Sequence, residues 1–369
     1  MIKVCHMTSA HRPEDVRIFH KECTSLAKAG YDVTLIERGE SCEKNGVHII
    51  GVGMPPSSRL RRMTTFAKKI YRVALDVDAD IYHFHDPELI PYGVRLKRAG
   101  KKVIFDSHEH AAETILEKGW IPRFARRAAY NWYRKYQKRN CRKLDAVITV
   151  TPNIVKYFQD VGCRTFQITN YPIIEPHMER PDYRARRIIF AGGISESWSH
   201  CAVLDSIHRI SGCRYCLCGT VRNQSYLERL KSRPGWAQVD YMGKISHEQV
   251  FEQMLQCSVG IALLKPGRNT DWNNGTIGNT KIFEEMMAGL PVVCTRFNLW
   301  RAFVDKYHCG ICVDPENVDE IADAIRYLLD HPEEAKKMGE NGRRAVKEEF
   351  NWGIEEKKLL ALYEDILNG

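Results

Sequence analysis

A chain of 369 residues exceeds what one hydrophobic core usually organises, so two domains of roughly 150 to 200 residues are expected, and an apolar fraction of 44 % with scattered aromatics describes a globular protein. No run approaches the ~18 consecutive apolar residues of a membrane span, and MIKVCHMTSAH at the start lacks the apolar core of a signal peptide, which points to the cytoplasm. The net charge of +9 is uneven: residues 1–180 hold 31 Lys/Arg against 20 Asp/Glu and the remainder 24 against 26, so an anionic partner is expected at the first half.

In chain order, strand-like runs alternate with helix-length segments, the pattern of parallel α/β architecture. The first half offers 2–8, 31–37, 47–52, 81–85, 102–107, 146–151 and 164–169 as strands. A polar, Pro-containing stretch, NYPIIEPHMERPDYRAR (170–186), reads as a linker, and the alternation restarts with 187–193, 213–219, 238–243, 258–264, 290–295 and 310–315. The sequence therefore predicts two tandem doubly wound, Rossmann-like domains facing a cleft, 1–175 and 176–350, with 351–369 a helix packing back toward the first. Residues just past each strand are the ones to inspect, because ligands of such sheets lie beyond the carboxyl ends of the strands. No G-x-G-x-x-G follows the first strand and no G-x4-G-K-[ST] occurs, which argues against a dinucleotide dehydrogenase or a P-loop nucleotidase.

The thirteen cysteines stand singly or inside apolar runs. Cys213-x2-Cys216 and Cys309-x2-Cys312 have a metal-ligand spacing but no histidines at zinc distance, so they read as small hydrophobes.

NTKIFEEMMAGLPVVCT (279–295) reads as a helix capped at Asn279 or Thr280 and ended at Gly289. Ile282, Phe283, Met286, Met287 and Leu290 share one arc, and Glu284 falls outside it. The amino end of such a helix attracts phosphate, and a carboxylate about 6 Å further along by helical rise is placed to accept hydrogen bonds from a hydroxylated ring. That is the span from the pyrophosphate to the ribose of a nucleotide sugar. The alternative is a surface Lys281–Glu285 pair with Glu284 solvated.

KGWIPRFARRAAYNWYRKYQKRNCRK (118–143) carries ten Lys/Arg and no acid, interleaved with aromatics, and RLRRMTTFAKKIYR (59–72) repeats the theme. Arg126, Arg127, Trp132 and Lys135 are the candidate contacts to an anionic membrane surface, with a solvated basic face over a core of aromatics as the alternative and nucleic acid disfavoured.

K-I-F-E-E-M-M-A-G-L-P-V-V (281–293) resembles a segment of the family 4 glycosyltransferases of the GT-B fold. DVRIFHKECTSLAKAGYDV (15–33), YHFHDPELIPYG (82–93), KKVIFDSHE (101–109), AVITVTPNIVKYF (146–158), QITNYP (167–172), IIFAGGIS (188–195), YMGKIS (241–246), CGICVDPEN (309–317) and ENGRRAVKEEFNW (340–352) extend the resemblance in the family's order over nearly the whole chain. It implies metal-independent, retaining transfer of a sugar, with no cofactor, from a nucleotide-sugar donor bound by the C-terminal domain to an acceptor met by the N-terminal one. It further implies that Glu284 holds the donor ribose. Thr276 stands where relatives have a second glutamate, and Gly193 with the neighbourhood of Trp198 stands where they have an Arg/Lys diphosphate clamp. Charge neutralisation then falls to backbone near Gly193, to Asn279, Thr280 and Lys281, and to Lys265 or Arg268.

His108, in FDSHEH, matches the family's histidine at the reacting centre. HFHDPE (83–88) resembles a metal cluster, but the family implies no metal, and Pro87 marks a turn whose Asp86 is expected to cap the next helix. Asp15, Arg17, His85 and Asp86 are the expected acceptor-side residues, with Asp15 otherwise a first-turn charge on its helix. The reading is a glycosyltransferase building a glycan, lipid-linked, at the inner face of a bacterial plasma membrane. A nucleotide-sugar epimerase and a non-catalytic binding relative are the rival functions.

Overall fold

The computed structural model describes all residues except 109, 110, 118, 120 and 175–178. Two compact units divide the chain: Met1–Asn170 together with Trp352–Gly369, and Tyr171–Asn351.

In the first unit, β1 (Lys3–Met7), β2 (Asp32–Glu37), β3 (Cys42–Lys44), β4 (Val47–Gly51), β5 (Ile81–Phe84), β6 (Lys102–Ser107), β7 (Ala146–Thr149) and β8 (Thr165–Gln167) form one sheet in the order β3-β4-β2-β1-β5-β6-β7-β8. Every pairing is parallel except β3 with β4, a hairpin turned through Asn45 and Gly46, both at positive φ. The sequence reading passed over β3, although Asn-Gly is a strong hairpin signal. Both faces of the sheet are covered. Phe66, Ile70, Phe84, Phe105 and Phe158 pack on one side; Ile18 and Phe19 pack on the other with Leu359, Leu362 and Tyr363 of the helix Trp352–Asn368.

In the second unit, β9 (Arg187–Ala191), β10 (Arg214–Cys218), β11 (Val239–Gly243), β12 (Val259–Ala262), β13 (Val292–Thr295) and β14 (Gly310–Val313) run parallel in the order β11-β10-β9-β12-β13-β14. This is the dinucleotide-fold order, with the winding reversing between β9 and β12; in the first unit it reverses between β1 and β5. Such reversal points open a crevice at the carboxyl ends of the two strands. Each unit carries its polar cluster there.

Candidate functional site

In the second unit the helix Thr280–Ala288 opens at Asn279, whose Oδ1 accepts the Lys281 N–H at 3.2 Å, and closes at Gly289, whose φ of 86° suits a residue without Cβ. Ile282, Phe283, Met286 and Met287 are buried against the sheet. The next two charges depart from a surface-pair reading. Glu285 is fully buried against Gly260 of β12, with neither carboxylate oxygen hydrogen-bonded among the described residues, and burial, then Glu284, pushes its acid well above the usual range. Lys281 lies along Gly192, where a Cβ would fall 1.8 Å from its Cε, and its ammonium stands 4.9 Å from the centroid of the Trp198 ring. Burial lowers the Lys281 pKa, against the pull of Glu284 and Glu285, and among the described residues no carboxylate lies within ion-pair distance of it. A largely buried cation at a helix amino end, beside a glycine-lined strand end, makes a local environment that favours anions.

Glu284 is one turn further along, 22 % exposed, with Oε1 3.5 Å from Nε2 of His247 at the start of the helix His247–Leu255. The sequence reading did not single out His247. Gly193 has open space around its Cα, and Gly219, at φ 144°, lets the loop after β10 close on the Gly192 carbonyl. Of the remaining expected donor residues, Lys265 adjoins the Trp198 loop, its N–H donating to the Ser197 carbonyl at 2.8 Å, but its ammonium pairs with Glu316 at 2.8 Å; Arg268 is exposed in the short turn Arg268–Thr270. Thr276 is occupied structurally, its hydroxyl accepting the Gly278 N–H and its carbonyl the Trp300 Nε1–H at 2.7 Å.

In the first unit, His108 follows β6, is 19 % exposed, and places Nε2 3.0 Å from Asp106 Oδ2. Arg17 grips the same carboxylate through Nε at 2.8 Å and Nη2 at 3.2 Å. Burial alone would raise the Asp106 pKa; Arg17, then His108, outweigh it and hold the carboxylate well below its usual range. Of the four expected acceptor-side residues, three are buried: Arg17 is committed to Asp106, His85 lies with Nδ1 3.4 Å from Asp106 Oδ2, and Asp86 turns inward. Asp86 does not cap the following turn. Its Oδ2 instead accepts the Thr8 hydroxyl at 2.8 Å and the Ser9 and Ala10 N–H groups at 2.6 and 3.2 Å, tying the loop after β1 to the end of β5. Asp15, half-buried, is the N-cap of the π-helical segment Val16–Cys23, accepting from the Arg17 and Ile18 N–H groups.

The basic helix is Arg123–Cys141. Its aromatics divide: Tyr130, Tyr133 and Tyr136 lean on the core, whereas Phe124 is 89 % and Trp132 67 % exposed. Arg126 turns back to the Ile121 and Leu116 carbonyls, and Arg127 and Lys135 stay in solvent on the side of Phe124 and Trp132. Among the described residues no helix is long and apolar enough to cross a membrane.

Comparison with known proteins is consistent across the chain. Residues 16–169 match the model of Glycosyltransferase Family 4 and residues 185–345 that of Glycosyl transferases group 1. A stretch of 82 residues is 35 % identical to an MMP alpha-(1->4)-mannosyltransferase of Mycolicibacterium hassiacum, covering 22 % of this chain and only 20 % of that protein. Among solved structures, a sucrose-phosphate synthase of Thermosynechococcus elongatus superposes with a TM-score of 0.80 at 16 % identity over 100 % of both chains. Anabaena HepE in complex with UDP-glucose does so with 0.73 at 13 % identity, covering 99 % of this chain and 100 % of that one. WaaG, a glycosyltransferase involved in lipopolysaccharide biosynthesis, gives 0.70 at 15 % identity over 97 % and 99 %.

Proposed function

Because the chain belongs to the glycosyltransferases of the GT-B fold, we propose that it moves a sugar from a nucleotide-diphosphate donor, bound by the second unit, to a hydroxyl of a glycan acceptor met by the first, with retention at the anomeric carbon. The carrying observation is the Lys281 ammonium, largely buried beside Gly192 at the amino end of Thr280–Ala288, with Glu284 one turn on. Lys281 and the N–H groups near Gly193, Asn279 and Thr280 receive the diphosphate, and Glu284 accepts hydrogen bonds from the ribose hydroxyls. In this reading Lys281 takes over from the Arg/Lys clamp of relatives, and Trp198 fixes its side chain. The same groups that bind the donor stabilise the diphosphate as it leaves, when its charge grows. His108, oriented by Asp106, contacts the reacting sugar or the incoming hydroxyl. The solved complex of Anabaena HepE with UDP-glucose supports a nucleotide-sugar donor of this type.

The acceptor is lipid-linked in this proposal, met at the inner face of a bacterial membrane. Support comes from the exposed Phe124 and Trp132 set among Arg127 and Lys135. Calorimetric titration with a panel of nucleotide sugars, followed by product analysis with and without a lipid-linked glycan, tests the whole reading. One donor should bind, compete with its nucleoside diphosphate, and be consumed only when acceptor is present. Conversion of the donor without acceptor identifies an epimerase instead, and binding without any turnover a non-catalytic protein.

A further inference from the structure

Three histidines and a glutamate meet in the interior of the first unit, behind the His108 surface. His6 on β1 and His83 on β5 are register partners, so their side chains leave the sheet on the same face, and His85, two residues beyond His83, joins them. Glu22 comes from the π-helical segment Val16–Cys23, which packs over that face. All four are buried. Glu22 Oε2 stands 4.0 Å from His6 Nδ1, 3.9 Å from His83 Nε2 and 3.9 Å from His85 Nε2, and His6 Nδ1 is 3.0 Å from His85 Nε2. The four donor atoms all lie within 4.8 Å of one another.

The partners of the outward-facing ring nitrogens are informative. The Tyr363 hydroxyl lies 3.1 Å from His6 Nε2 and 2.8 Å from His83 Nδ1, and Asp106 Oδ2 lies 3.4 Å from His85 Nδ1. Each imidazole thus turns one nitrogen to an oxygen of Tyr363 or Asp106 and the other toward the common centre, where His6 Nδ1 and His85 Nε2 hydrogen-bond to each other through one proton that a bound ion would displace. This is how metal-bound histidines are held: the outer hydrogen bond fixes the tautomer and aims the inner lone pair. The inner side shows the complementary deficit. Among the described residues His83 Nε2 and both Glu22 oxygens are buried without a hydrogen-bond partner, although Glu22 Oε1 lies 3.1 Å from Arg17 Nε, whose hydrogen is directed to Asp106. Buried polar atoms without partners are costly in a folded protein and call for an explanation.

We propose that His6, His83, His85 and Glu22 form a buried binding site for one divalent transition-metal ion of the zinc class, in a closed His3Glu set. Zinc takes nitrogen at about 2.0 to 2.1 Å and carboxylate oxygen at about 2.0 to 2.2 Å, so donors of a tetrahedron sit about 3.3 Å apart. Inward shifts of well under 1 Å bring the 3.9 to 4.0 Å separations to that value. All four positions are supplied by protein and sealed from solvent, so the ion is structural: it joins β1, β5, the Val16–Cys23 segment and, through Tyr363, the helix Trp352–Asn368. It has no part in donor binding, which belongs to the second unit.

Metal content tests this independently of sugar transfer. Untagged full-length protein, dialysed against metal-free buffer, is analysed by inductively coupled plasma mass spectrometry. It is then stripped with a strong chelator and titrated with Zn2+ or Co2+ alone. The expected results are one equivalent of metal, recovery of a higher Tm with stoichiometric Zn2+, and the intense visible absorption of tetrahedral Co2+. Glu22→Gln and His83→Ala should lose the ion, while His48→Ala, at the exposed edge beside Asp32 and Glu43, should keep it. The Co2+ spectrum of the unaltered protein answers the question even where a variant fails to fold. Absence of stoichiometric metal in both the purified and the reconstituted protein, or full retention in Glu22→Gln, overturns the proposal.

Discussion

The ammonium of Lys281 stands 4.9 Å from the centroid of the Trp198 indole, and the backbone of Gly192 leaves the room in which the lysine's last carbons lie. A cation over an aromatic face keeps its charge available while its position is fixed. Lys281→Met should therefore cost diphosphate ligands about 10- to 100-fold in Kd, the size of a charge-assisted contact, and leave nucleoside affinity almost unchanged. Calorimetry with both ligands makes the comparison; equal losses for the two contradict a phosphate role.

Glu284 lies outside the buried arc of its helix, so its replacement should touch binding and spare folding. Glu284→Gln is expected to weaken the donor about tenfold or more with a Tm within a degree or two of the parent protein. A fall in Tm that accounts for the lost binding would place the residue among structural groups.

His108→Ala should lower kcat by about 10²- to 10³-fold, with donor Kd little changed, because the proposal assigns His108 to the reacting centre and donor binding to the second unit. Steady-state kinetics with a saturating donor distinguishes this from a binding defect.

His200 gives a stability prediction with a defined sign. Burial, then the charge of Lys281, lowers its pKa to about 3, while Nδ1 meets the Tyr215 hydroxyl at 3.0 Å. The unfolded chain takes up a proton near pH 6.5 and the folded one does not, so this group favours unfolding increasingly as pH falls from 6.5 toward 3, by up to ~1.4 kcal/mol per unit. Denaturant titrations of His200→Phe and the parent protein should show the stability difference shifting in favour of the variant between pH 7 and pH 5. A difference independent of pH contradicts the assignment.

Flotation with vesicles addresses the outward face of the Arg123–Cys141 helix. Phe124→Ser with Trp132→Ser should reduce binding to anionic vesicles at any salt, and Arg127→Gln with Lys135→Gln should reduce it most at low salt, where screening is weak. Unchanged flotation in both double variants would assign these side chains to ordinary surface.

Most strands were legible in the sequence because parallel, doubly covered strands are nearly continuous apolar runs, as in KVIFDS and LPVVCT. The edge strand Cys42–Lys44 was not, since its three residues are all exposed and carry no apolar pattern. In the helix Thr280–Ala288, the cap at Asn279 and the place of Glu284 outside the buried arc were readable from capping and helical phase. The depth of Lys281 and Glu285 was not, and this left an exposed Lys281–Glu285 pair open as the alternative: helical phase does not say that a glycine at residue 192 or 260 opens space for a charged side chain. Asp86 was misread for a related reason. Its position before Pro87 is that of a cap, but the loop after β1, some 77 residues away in sequence, offers it better donors. Tyr363 could not be connected with His6 or His83 from spacing at all, as the contact spans 357 residues in one case and 280 in the other.

That long-range contact bears on synthesis. Residues 352–369 belong to the first compact unit, while 171–351 form the second. On the ribosome the later-encoded unit therefore has its full complement of residues before the earlier one does, and the hydrophobic surface awaiting Leu359, Leu362 and Tyr363 stays uncovered through that interval. A nascent chain of this design is most dependent on chaperones in the interval before residues 352–369 have emerged.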